Sequence, residues 1–155
     1  MTNNPLFIGT IFVPLLCAAF GLLLGRHLRL QHLLIFAGGV VAWVCSLLLL
    51  AANLESGVQI YRVGGWPPPY GIILVADKLS ALFAAMATTV VAAGLLYALG
   101  CKDKCVSYPA FMPLFMTMGV GLNGALYTGD IFTLFVFIEL MVVSSVSLVA
   151  VSDNR

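Results

Sequence analysis

The residue of this chain best placed for chemistry is Glu139. It lies in an apolar run, eight residues past Ile131, and eight residues of helix rise about 12 Å, which puts its carboxyl near the middle of a hydrocarbon core about 30 Å thick. A charge at that depth costs at least about 2.5–3.5 kcal/mol, so an acid retained there faces a bundle interior or a water path. Burial raises a carboxyl pKa and a nearby cation lowers it, so an acid beside a movable Lys can load and release a proton near neutral pH. Glu139 is therefore expected to be a proton-relay residue. The other use open to it is that of a protonated acid hydrogen-bonding a neighbouring helix.

Asn123, Ser147, Asp130 and Asp77 are the supporting candidates. On a helix Ser147 stands about 80° around from Glu139, while Ser144 and Ser145 point further away and suit close packing. Asn123 lies among Gly119, Gly121, Gly124 and Ala125, small residues that let helices approach. Packing is its first reading and coordination of water its second. Asp77 lies just ahead of an apolar run, where a carboxylate caps a helix N-terminus, and Gly129-Asp130 opens the last run. Pro14 and Pro113 fall inside apolar runs, where a proline frees a backbone carbonyl and can kink the helix.

Metal and cofactor chemistry finds little support. Cys101 and Cys105 flank Lys-Asp-Lys, two thiols that need two further ligands to hold a metal. His27 and His32 share one short basic link and read as interfacial side chains rather than haem ligands. No nucleophile beside a base, phosphate-cradling loop or paired carboxylates stands at a recognisable spacing. No catalytic site, metal or cofactor is expected.

The elements that must position Glu139 follow from composition. The chain has 155 residues, 62% hydrophobic and 8% charged, against about 45–50% apolar and about 25% charged in a soluble domain. Thirteen charged side chains cannot clothe a water-facing surface, and mean hydropathy is +1.11. A net charge of +1 excludes the electrostatic footprint of a nucleic-acid binder. Four cysteines, two of them in apolar runs, do not make a disulfide scaffold.

Five runs read as spanning helices, over about 6–24, 33–52, 79–99, 110–127 and 131–151. The first is preceded by no side-chain positive charge and followed by the basic cluster, so it is expected to be a retained helix rather than a secretory leader. Arg26, Arg29, Lys102, Lys104 and Arg155 fall in links on one side, and Arg62 and Lys78 on the other. The positive-inside bias then places the N-terminus outside and the C-terminus in the cytoplasm of a cell inner membrane. Between the second and third runs, Val58 to Val63, the Gly64-Gly65 turn and Ile72 to Val75 predict a short periplasmic hairpin. Trp66 and Tyr70 suit headgroup depth. The expected fold is all-α integral membrane, five transmembrane helices with that hairpin in a single membrane domain over residues 1–155.

Two segments carry a family resemblance: GGWPPPYGIILVADKLSALF from Gly64 to Phe83, and GDIFTLFVFIEL from Gly129 to Leu140. Both resemble the D subunit of multisubunit Mrp-type cation/proton antiporters, which is similar to the proton-pumping antiporter-like subunits of respiratory complex I and of membrane-bound hydrogenases. The resemblance implies that Glu139 is the fifth-helix glutamate that exchanges protons with a lysine on helix seven, and that a complete subunit has many more helices, two inverted repeats at its centre and both termini outside. The chain is accordingly expected to be an N-terminal fragment or a split subunit. Another chain would supply the remaining helices and the lysine, and the partners would be other membrane subunits, the lipid bilayer, and protons with Na+ as a further candidate cargo. Ion gradients and redox chemistry both stay open as the driving force. The competing reading is a non-conducting structural or assembly subunit in which Glu139 is a packing contact.

Overall fold

The computed structural model describes residues 4–66, 71–101 and 106–153, with side chains through Val151. A π-helical turn, Ile8–Phe12, leads into α1 (Val13–Leu23). There follow α2 (Leu28–Ser56), β1 (Gln59–Arg62), a 3-10 turn (Val63–Gly65), β2 (Ile73–Ala76), α3 (Lys78–Gly100), α4 (Phe111–Tyr127) and α5 (Ile131–Asp153). By length and composition α2, α3 and α5 are able to cross a membrane, whereas Ile8–Leu23 and Phe111–Tyr127 are shorter apolar helices.

The boundaries have local causes. Pro14 has no N–H to donate, and the ladder ahead of it widens so that Val13 N–H reaches Ile8 O. α2 begins earlier than the apolar run suggests, so Arg29 and His32 lie in its first turns rather than in a link. It ends at Gly57, whose φ of +77° suits a residue without Cβ. Pro113 occupies the first turn of α4, where no intrahelical donor is required. It therefore does not kink a span, as its place in the apolar run suggested. The carbonyl it leaves without a donor, that of Pro109, accepts from Gln31 Nε2 at 2.6 Å.

β1 and β2 pair antiparallel, from Gln59 opposite Ala76 to Arg62 opposite Ile73. Positive φ at Gly64 and Gly65 turns the chain after β1. Pro67 to Tyr70 lie outside the described residues, as do Lys102 to Cys105. The hairpin is fastened to three other segments. Asn53 Nδ2 of α2 donates to Ala76 O at 2.5 Å, Gly129 N–H donates to Ile73 O at 2.9 Å, and Asn4 N–H donates to Ile60 O at 3.4 Å.

Two apolar clusters fill the interior. Phe7, Ile11, Leu49, Leu74, Val120 and Tyr127 gather toward the hairpin, and Ala18, Ile35, Leu95, Met112 and Met116 toward the opposite end. α4 is central, packing on α1, α2, α3 and α5, while α5 packs chiefly on α4.

Candidate functional site

α5 is held against α4 by the absence of side chains on α4. A Cβ on Gly124 would overlap the Phe137 ring, and one on Gly121 would lie 2.9 Å from both Phe137 O and Met141 N. Gly119 faces α3 instead, with Val91 methyls 3.1 Å from its would-be Cβ. Thr133 and Ser144 are buried on the α4-facing side of α5, one helical stripe with Phe137 and Met141.

Glu139 is two residues from both Phe137 and Met141, about 200° around the helix, and is exposed. Among the described residues no helix encloses it, contrary to the interior position its depth suggested. It stands among Phe135, Val142, Val143 and Val146, exposed by 60%, 45%, 60% and 63%, as the acid in the middle of an apolar face. α5 through Val151 carries no base.

The supporting candidates are not brought to it. Asp130 caps α5, accepting from Thr133 N–H at 3.0 Å and Thr133 Oγ1 at 2.8 Å. The Thr133 hydroxyl first and its amide second hold the Asp130 carboxyl below the usual carboxylate range. Asp77 caps α3 in a capping box with Ser80, whose amide donates at 2.7 Å and whose hydroxyl accepts from the Asp77 amide at 2.9 Å. Those bonds, the Ser80 amide foremost, lower its pKa likewise. Ser144, Ser145 and Ser147 each donate to the carbonyl one turn back, at 2.6, 2.7 and 2.8 Å, which satisfies their hydroxyls within α5.

Asn123 lies elsewhere, buried at 4% exposure. It lines a small cavity between the two apolar clusters with Pro14, Gly39, Thr88, Met116 and Gly119. Further polar groups run along this interior: Ser46 Oγ and Tyr127 Oη are 3.2 Å apart, and Gln31, Ser46, Asn53 and Thr88 are all buried. Sequence reasoning passed over these four. The signal was present in α2, where residues 31, 35, 38, 42, 46, 49 and 53 recur at helical spacing and form its buried stripe.

Helices of this length and composition, packed into one bundle, define a multi-pass membrane protein. Comparison with known proteins gives the kind. The chain is 30% identical over 152 residues to the D subunit of the Na(+)/H(+) antiporter of Alkalihalophilus pseudofirmus, covering 98% of this chain and 31% of the relative. It is 36% identical over 149 residues to the D subunit of the probable K(+)/H(+) antiporter of Rhizobium meliloti, covering 92% and 27%. Its fold matches a chain in the structure of the Mrp complex from Dietzia sp. with TM-score 0.79 and 27% identity, over 91% of this chain and 26% of that one. A chain of the membrane-bound sulfane sulfur reductase, an archaeal respiratory membrane complex, matches with TM-score 0.74 and 27% identity, over 90% and 28%. No family model matches. The chain thus spans under a third of the length of these curated relatives. By sequence and fold the chain resembles the D subunits of Mrp-type cation/proton antiporters over their matched part.

Proposed function

We propose that the chain is the N-terminal part of a proton-translocating, antiporter-like subunit and that Glu139 is its relay acid. One observation carries this reading: Glu139 stands exposed on a face of α5 that is otherwise apolar. Against lipid, an ionisable group at such a place costs about 2.5–3.5 kcal/mol or more. That face is therefore covered in the working assembly by further helices or a water-lined path, supplied by more of the same polypeptide or by other membrane subunits. A lysine there, as the family resemblance implies, lets the acid exchange a proton with a base. The bundle crosses the membrane five times, with the hairpin and N-terminus outside and the end of α5 in the cytoplasm. Protons are the cargo, exchanged for a cation such as Na+.

The test is transport by the whole complex in vesicles, normalised to assembled protein. Glu139→Gln keeps the shape and hydrogen-bonding capacity of the side chain but cannot titrate, so it assembles and does not transport. Wild-type transport by that variant would remove the relay and leave a structural subunit. Glu139→Asp retains the acid but withdraws it by one methylene, on the order of 1 Å, and retains partial transport because proton transfer needs hydrogen-bond reach.

A further inference from the structure

The interior between α3 and α4 carries a second polar feature, separate from the face that bears Glu139. Three buried amide oxygens have no hydrogen-bond partner among the described residues: Gln31 Oε1, Asn53 Oδ1 and Asn123 Oδ1. The first two belong to side chains whose amide nitrogens already donate, Gln31 to Gly21 O and Pro109 O and Asn53 to Ala76 O. Asn123 differs, because it lines the cavity. The space there is about that of one water molecule. Most of its wall is apolar, made by Pro14, Val91, Met116 and Val120, and its second polar wall residue is Thr88. The Thr88 hydroxyl hydrogen is spoken for, donated to Ala84 O at 2.8 Å or Ala85 O at 3.1 Å, so its oxygen is left as an acceptor.

We propose that this cavity is a binding site for a single water, held between the Asn123 amide of α4 and the Thr88 hydroxyl of α3. The Asn123 amide and the Thr88 hydroxyl oxygen are two polar partners for one water, the minimum that fixes it. A dry cavity of this size is stable when its wall is wholly apolar. With the Asn123 side chain in the wall, emptiness leaves its buried amide short of hydrogen-bond partners. The site also accounts for the glycines around it: Gly39 meets Leu95 and Gly119 meets Val91, so that α2, α3 and α4 close on one another around the space.

Met112 and Met116 make the test internal to one helix. They lie one turn apart on α4 and are 0% and 2% exposed, and Met116 lines the cavity while Met112 does not. Radiolysis of water generates hydroxyl radicals at bound waters as well as in bulk, so a buried methionine beside a bound water is oxidised and an equally buried dry one is spared. Pulsed X-ray footprinting of the full chain in lipid nanodiscs, read by mass spectrometry, is expected to oxidise Met116 several-fold faster than Met112. Asn123→Leu keeps the branch at Cγ but removes the amide, and brings the two rates together. Thr88→Val, which keeps a β-branched side chain without the oxygen, lowers the Met116 rate and replaces Asn123→Leu should that variant not fold. Equal rates in the unmodified chain would overturn the site. So would a Met116 rate that neither substitution changes, since the water would then not be held by these groups.

Discussion

Gly121 and Phe137 fix how closely α5 approaches α4: a Cβ on Gly121 would lie 2.9 Å from the Phe137 carbonyl oxygen, a distance that side-chain rearrangement cannot relieve because the obstacle is backbone. Gly121→Ala therefore forces the helices apart. It is expected to destabilise the bundle by about 1–3 kcal/mol, the range for overpacking, measured by reversible unfolding in mixed detergent micelles. Gly100→Ala is the control, since its Cβ would meet nothing within 4 Å, and it is expected to leave stability within about 0.5 kcal/mol.

Gln31 offers a second test, at the other end of the bundle. Its Nε2 donates to Gly21 O at 2.9 Å and Pro109 O at 2.6 Å, joining α2 to the end of α1 and to the approach to α4. Gln31→Met preserves volume and flexibility but leaves Pro109 O without this donor. A loss of about 1–3 kcal/mol is expected, the cost of stranding a buried acceptor. Gln31→Glu is a sharper probe, because a carboxylate has no hydrogen to offer either carbonyl and would destabilise further as pH rises.

How much of this was legible in the sequence depends on the scale of the signal. The apolar runs were readable because they extend over tens of residues, and the hairpin because Gly64-Gly65 and the alternating residues around it are local. Asp77 was readable as a cap from its place ahead of α3. The side of α5 on which Glu139 falls was not, because α5 is apolar nearly all round and gives no amphipathic stripe from which to read a face. Its orientation is set by Gly121 and Gly124 on another helix. The role of Gln31 is not legible from its neighbours, because it depends on a carbonyl 78 positions away that Pro113 leaves without a helical donor.

The two capping aspartates predict an acid dependence of stability. Asp77 and Asp130 both have pKa values lowered in the fold, by hydrogen bonds from Ser80 and Thr133 respectively. Their contribution is complete above the unfolded carboxylate value of about 3.9 and is lost as pH falls through the lower folded values. Thermal stability of the chain is therefore expected to decline below about pH 4. Asn is an equally good cap that does not titrate in this range, so Asp77→Asn with Asp130→Asn flattens the decline. An unchanged pH profile in the double variant would mean that other groups govern acid stability.

The proposed orientation is open to labelling at two points on opposite ends of α3. Val58 lies beside the hairpin and is 58% exposed, and Cys101 follows the last residue of α3. The 23 residues of α3 span about 34 Å, enough to separate the two aqueous faces. Cys17 and Cys45 lie within α1 and α2, and Cys105 shares the link of Cys101. In sealed right-side-out vesicles an impermeant maleimide is therefore expected to leave Cys101 and Cys105 unmodified until the membrane is opened. Val58→Cys, made with Cys101 and Cys105 replaced by Ser, is expected to react at once from outside. Reaction of the native thiols from outside would invert the topology. Reaction of both positions from one side would mean that α3 does not cross the membrane.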